Sequence, residues 1–268
     1  MVLISIGSAG LAVAKAFTST KMIIPIVQES FPKHCESPED FEKHWCDTKL
    51  QISFDEEECW VILCGASRVA GCTLRALETI KHKKINIIYI CPDTSLLTPV
   101  QAKSHKVVFN ILQEYTRSGL LNRMYLFSNV EVLKIIGDQA ITQMYTAINN
   151  QIVNSLETIW YFQSQSPVLG QIHKPKDISR ICTVSIGDFK KNEEKSLFLL
   201  DNCTETWYIY SINKTQLKSN KDLLNLIKSR VFAEDNQTIA SFAIYPSAHK
   251  QSFFYSLKLT HYIQTLEV

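Results

Sequence analysis

Apolar positions along this chain fall into two periods. Short apolar runs stand at residues 2–6 (Val-Leu-Ile-Ser-Ile), 22–27, 59–64 (Cys-Trp-Val-Ile-Leu-Cys), 85–90 and 123–127. Each is too short for a helix and reads as a strand. Between the runs the spacing turns helical. Leu11, Ala14 and Ala16 follow the first run, and Leu74, Leu77 and Ile80 follow the third. Val107, Val108, Ile111 and Leu112 mark a helix over residues 100–116, stopped by Ser118-Gly119. Residues 28–50 are polar, and Pro38-Glu39-Asp40-Phe41 reads as the opening of a short helix. Strands alternating with helices over residues 1–138 predict a parallel sheet covered on both faces.

Residues 139–163 read as one long helix. Ile141, Met144, Tyr145, Ile148, Ile152, Leu156 and Trp160 form its stripe, expected to be core. After it the pattern changes. Residues 164–176 read as a loop, 181–186, 207–212, 238–245 and 253–262 as strands, and 221–232 as a helix. Phe254, Ser256, Lys258 and Thr260 share one face of the last strand, so one face of that sheet is expected to meet water. The fold class is therefore α/β. A Rossmann-like parallel-sheet domain spans 1–138, a central connecting helix 139–163, and a smaller α+β C-terminal domain 164–268.

Composition narrows the function. A chain of 268 residues with 46% hydrophobic content can bury a sizeable core. The net charge of +2 gives no global field for nucleic acid or an anionic membrane. No apolar run is long enough to span a bilayer. The opening MVLISIGSAGLAVAKAF has no basic leader and reads as the first βα unit rather than a signal peptide. Eight cysteines occur without C-x-x-C, which reads as reduced, buried thiols in a cytoplasmic protein with no structural metal. The N-x-T matches at Asn202, Asn213 and Asn236 then carry no glycosylation meaning.

Residues 58–78 (ECWVILCGASRVAGCTLRALE) organise the chain. A buried strand enters the small-residue turn Gly65-Ala66-Ser67-Arg68-Val69-Ala70-Gly71, and a helix starts at Cys72-Thr73. Free N–H groups and the positive helix end favour an anion at such a corner. Many α/β corners of this layout bind nothing.

Element order and several residues resemble the tubulin/FtsZ superfamily over nearly the whole chain. Ile6-Gly7-Ser8-Ala9-Gly10-Leu11-Ala12-Val13 looks like that family's first glycine turn. Residues 65–73 stand where the family has its glycine-rich signature. Residues 86–133 are similar in layout to its strand, ribose loop, helix, strand and turn, the turn reading Asn129-Val130-Glu131-Val132-Leu133. Met144-Tyr145-Thr146-Ala147-Ile148-Asn149-Asn150 looks like the start of the central helix, where an Asn hydrogen-bonds guanine.

The resemblance implies roles residue by residue. Gly7, Ser8, Ala9 and Gly10 approach phosphates by backbone, and Gly71, Cys72 and Thr73 hold what remains of the signature loop. Arg68 offsets phosphate charge, and Asn129 and Asn149 read the base through paired donor and acceptor groups. The residues themselves leave plainer roles open: Asn129 as a helix cap, Asn149 and Arg68 as solvent-facing groups. Departures from the family pattern are also plain. Only Gly71 survives inside the signature loop, and Val69 suits a positive φ badly. No acidic ribose contact stands in residues 94–100. The stretch 167–177, where the family carries water-polarising acids, holds His173, Lys174 and Lys176 with a single acid, Asp177, a weak catalytic candidate.

The resemblance thus implies a divergent, cytoplasmic protein that binds GTP or GDP and self-assembles into a homo-oligomer or filament. It is at most a slow GTPase, with room for another protein partner and none for nucleic acid or membrane. The alternative is a degenerate relative that binds no nucleotide and serves as a structural or interaction protein. An unrelated Rossmann-like enzyme is disfavoured, because Glu29 follows the wrong glycine spacing for a dinucleotide site.

Overall fold

A computed structural model describes residues 1–48, 52–189, 191, 193–232 and 238–266. Asn236 lies outside these. The chain opens with β1 (Val2–Ile6), every residue of it buried, then α1 (Gly7–Ala16) and β2 (Met22–Ile26). A short helix follows, α2 (Pro38–Lys43). Ser37 Oγ accepts from Asp40 N at 3.2 Å, the Asp40 carboxylate accepts from Ser37 N at 3.1 Å, and Pro38 fills the first helical position. Next come β3 (Glu58–Leu63), a 3-10 turn (Arg68–Cys72), α3 (Thr73–Thr79) and β4 (Lys84–Cys91). A second capping box, Thr98 with Gln101, starts α4 (Pro99–Arg117). Then follow β5 (Arg123–Ser128), α5 (Asn129–Ile136) and α6 (Ile141–Gln163).

The remainder holds β6 (Leu169–Gln171), β7 (Ile181–Asp188), β8 (Glu193–Ser196) and β9 (Glu205–Asn213). It closes with α7 (Lys214–Ser219), α8 (Leu223–Val231), β10 (Ile239–Ser247) and β11 (Phe253–Thr260).

All described strands join one mixed sheet in the order β2-β1-β3-β4-β5-β7-β11-β9-β10-β6, with β8 on β7. β1 to β5 pair in parallel, as the alternating pattern predicts. The seam to the later strands is narrow: β5 and β7 run parallel over Met124↔Ile181 and Tyr125↔Cys182. Thr183 Oγ1 reinforces it by donating to Leu126 O at 2.8 Å. Beyond the seam the pairing is largely antiparallel, with β9 and β10 parallel.

The long helix α6 stands at this seam, packed on α1, α5 and β7. Its Ile148, Ile152, Leu156 and Ile159 share one core with Leu3, Ile62 and Phe127 of the early strands and Val184, Ile209 and Leu257 of the later ones. Three expectations fail here. Ile141 is 88% exposed and Tyr145 is exposed, so the buried stripe begins only at Ile148. In the helix's first two turns Met144 alone of the stripe reaches that core, half-buried at its margin. The last strand is also covered on both faces. Phe254, Ser256 and Thr260 are buried, because α8 packs Ile227 and Val231 near Phe254. Glu194 of β8 accepts from Ser256 Oγ and pairs with Lys258 at 3.2 Å. The expected loop at 164–176 contains β6, an edge strand antiparallel to β10.

Candidate functional site

Because β1, β3, β4 and β5 are parallel, their carboxyl ends form one edge and their amino ends the opposite one. Ligands of open α/β sheets sit outside the carboxyl ends.

At that edge α1 starts directly after β1, four residues earlier than helical spacing alone predicts. Gly7 makes the sharp turn with φ 78° and opens α1. The preceding Ile6 offers no side-chain acceptor, and the first turn contains no acid. The leading N–H groups therefore point out at the positive end of a 10-residue helix, with Ser8 and Ala9 exposed. Gly10 has a packing use beside the expected phosphate approach. A Cβ there would stand 2.3 Å from Ile62 O, so its bareness lets α1 lie close on β3. A Cβ on Gly7 would meet Ser67 Oγ at 2.6 Å, with Val69 behind it. Ser67 received no role from the sequence, although it stands inside the turn that organises the chain.

The signature turn is a 3-10 turn folded onto the chain's own α2. Gly71 is bare because Pro38 O occupies the space: a Cβ would stand 1.9 Å away. Val69, Ala70 and Cys72 are buried. Burial pushes the Cys72 thiol up to about 12, and its Sγ donates to Val69 O at 3.1 Å. Thr73 Oγ1 is buried and has no partner among the described residues. Gly71 and Thr73 line a cavity of about 450 Å³ between α2 and α4. Arg68 is exposed and donates from Nη1 to Glu36 O at 3.2 Å.

Asn129 is not the cap of α5. Ser128 takes that place, its Oγ accepting from Glu131 N at 3.4 Å. Asn129 Oδ1 is buried at the carboxyl end of β5 and has no partner among the described residues. An unpaired buried acceptor costs desolvation free energy, on the order of 1–3 kcal/mol, unless something donates to it. Asn149 is half-buried on α6, the helix packed on both α1 and α5.

Asp177 stands at the other edge. It pairs with Lys174 at 3.4 Å, and both side chains are largely exposed. The two line a groove of about 880 Å³ with Glu58, Lys84, Arg123 and Arg180. A polar chain runs along this groove. Lys84 Nζ donates to Glu58 Oε2 at 2.8 Å, Asn86 Nδ2 to Glu58 Oε1 at 2.6 Å, and Asn122 Nδ2 to Asn86 Oδ1 at 2.7 Å. Its sequence signal was available: Asn86 is a polar residue inside an otherwise apolar strand. Thus the start of α1 and Asn129 share one edge, Gly71 to Thr73 face α2 and α4, and Asp177 is at the far end.

Among the described residues no cluster of three His, Cys, Asp or Glu side chains could hold a metal ion, and no helix is long and apolar enough to cross a membrane.

No protein-family model matches this chain, and no curated protein matches it in sequence. Solved structures do. The GTPγS-form protofilament of TubZ from Bacillus thuringiensis serovar israelensis superposes with a TM-score of 0.69 at 12% identity, over 96% of this chain and 87% of that one. The empty FtsZ dimer from M. jannaschii gives 0.63 at 10% identity, over 96% and 87%. The GDP-bound CetZ1 monomer from Haloferax volcanii gives 0.62 at 12% identity, over 96% and 93%. At these identities the likeness shows the fold.

Proposed function

We propose that this chain, which has the tubulin/FtsZ fold, self-assembles and binds a guanine nucleotide at the carboxyl edge of its parallel strands, with weak or absent hydrolysis. The observation that carries the reading is Asn129. Its unpaired Oδ1 is turned inward in the unloaded chain, and a rotation of the side chain offers it to the donor edge of a guanine base. The uncapped start of α1 supplies N–H donors for phosphates on the same edge. Gly7, Ser8 and Ala9 present those donors, and Gly10 holds the helix close to β3. Asn149, on the helix packed against α1 and α5, is the second base contact. Gly71, Cys72 and Thr73 shape the turn without reaching the phosphates, and Arg68 is engaged with Glu36 O.

Self-assembly is supported by the solved structures, which include protofilaments of TubZ and CetZ2. Six of the eight cysteines are buried like small hydrophobes, which supports a cytoplasmic setting. The weak hydrolysis follows from Asp177. It lies at the edge remote from Asn129, so within one copy it reaches no nucleotide. Facing another copy, it is an exposed carboxylate already paired with Lys174. Such an acid is a poor general base.

One observation favours a second reading, the same fold without nucleotide. Ser67 takes the space beside Gly7, and the signature turn is locked under Pro38. Denaturing the purified chain and chromatographing the supernatant separates the two. GTP or GDP near one per chain supports the first reading. Absence of retained nucleotide, together with no binding on titration, supports the second.

A further inference from the structure

The groove of about 880 Å³ at the amino edge holds more positive charge than it neutralises. Five cationic side chains line it, Lys84, Arg123, Lys174, Lys176 and Arg180, against two carboxylates, Glu58 and Asp177. Both carboxylates are taken. Lys84 holds Glu58 at 2.8 Å, and Lys174 holds Asp177 at 3.4 Å. None of the ion pairs among the described residues includes Arg123, Lys176 or Arg180. Three positive charges therefore line one concavity without a counter-ion.

Two of the three are held in place. Arg123 is half-buried, and its guanidinium lies 5.8 Å from the centre of the Trp207 ring. Its Nε is sealed from solvent, so the charge of the group, not that atom, acts on the groove. The buried Glu205 attracts Arg123 from beyond ion-pair distance and is engaged elsewhere, accepting from Lys176 N at 3.1 Å and Ser179 Oγ at 2.6 Å. Arg180, also half-buried, donates from Nη1 to Asn122 O at 3.3 Å, which orients it and leaves its charge. A guanidinium drawn partly out of water with no counter-ion is costly, and an anion in the groove offsets that cost.

The opposite wall is aromatic. Trp60 and Trp160 are both half-buried, with ring centroids 4.6 Å apart, and Tyr125 lies 5.1 Å from Trp60. Sheet register sets Trp60, Asn86 and Arg123 side by side on β3, β4 and β5. Two strand spacings, roughly 10 Å, thus separate the backbones of Trp60 and Arg123. That span suits a molecule with a planar ring at one end and an acid group at the other, and the volume is ordinary for a small-molecule site.

We infer that this groove binds a small aromatic anion, its acid group received by Arg123, Lys176 and Arg180 and its ring lying against Trp60 and Trp160. Arginine and lysine receive a carboxylate or a phosphate alike, so the shared chemistry is a planar ring bearing either group. The inference is independent of the nucleotide reading, which concerns the opposite edge.

The test is calorimetric titration of the full chain with 2-naphthoate and with 2-naphthyl phosphate, with and without excess GDP. Naphthalene-2-methanol and acetate are the controls, a ring without charge and a charge without a ring. Saturable binding of one or both aromatic acids is expected, the tighter one identifying the acid group, and it should persist in GDP. Both controls should bind about tenfold more weakly or less. Lys176→Gln with Arg180→Gln should weaken the acid about tenfold or more, as loss of charge-assisted bonds implies. Circular dichroism checks folding; if the double variant does not fold, Lys176→Glu at its exposed position decides. No binding of either acid, equal binding of a control, binding unmoved by the variants, or displacement by GDP each overturns the inference.

Discussion

Gly71 and Pro38 meet backbone to backbone: a Cβ on Gly71 would stand 1.9 Å from Pro38 O. The one glycine that survives from the signature loop thus admits α2. Gly71→Ala must push α2 away, an overpacking cost of about 1–3 kcal/mol. Urea unfolding should show a lower midpoint with an unchanged slope, while nucleotide affinity stays largely unchanged in the folded fraction. Lost affinity at unchanged stability would return this glycine to the binding site.

Asn129→Ala should have opposite effects on binding and on stability. Nucleotide affinity should fall by about 1–3 kcal/mol, because a base-edge bond is lost. Stability of the unloaded chain should not fall, because the substitution removes a buried acceptor that has no partner. Asn149→Ala should weaken binding similarly. Paired calorimetric and thermal-melt measurements check both arms.

Glu157 ties α6 to the end of α1. Its Oε1 accepts from Thr18 N at 2.8 Å, Thr18 Oγ1 at 2.9 Å, Ser19 N at 3.0 Å and Ser19 Oγ at 3.0 Å. Burial raises this carboxyl, but the hydrogen bonds from Thr18 and Ser19 outweigh it and hold it below its ordinary value. A carboxyl lowered in the folded state stabilises fully above its unfolded pKa, about 4.3, and that contribution is lost as pH falls through the lower folded value. Glu157→Gln should therefore cost about 1 kcal/mol at neutral pH. The gap between variant and wild type should close as the acid range is entered. Denaturant midpoints across pH measure it.

Phosphate release from GTP should be slow and should not accelerate with protein concentration. Asp177→Ala should leave it nearly unchanged, since the carboxylate is exposed and ion-paired with Lys174. A loss of ~10²-fold or more, the scale of a general base, would restore Asp177 to catalysis.

Much of the fold was legible because burial on both faces leaves continuous apolar runs. The parallel strands β1, β3, β4 and β5 announce themselves that way, and α6 by its length. Period alone says which side chains share a face, not what covers the face. Ile141 and Tyr145 keep the period of α6 but lie ahead of the core, and Lys258 sits on a face that Glu194 and α8 cover. β6 was illegible because three exposed residues carry no period; its pairing with β10 is visible only in space. The candidate site residues stand out in the sequence as glycines and asparagines in order. Which glycine faces a phosphate and which faces Ile62 O or Pro38 O depends on neighbours distant in sequence.

The central claim is that a guanine nucleotide occupies the edge shared by the start of α1 and Asn129. Calorimetric titration of GTP into the nucleotide-stripped full chain, beside Asn129→Ala, tests it most directly. Saturable binding near one nucleotide per chain is expected, weakened ~5-fold or more by the variant, as loss of a bond worth about 1 kcal/mol or more requires. No heat of binding at any reachable GTP concentration from a chain shown to be folded would contradict it, and would mean that Ser67 and Val69 close the corner beside Gly7.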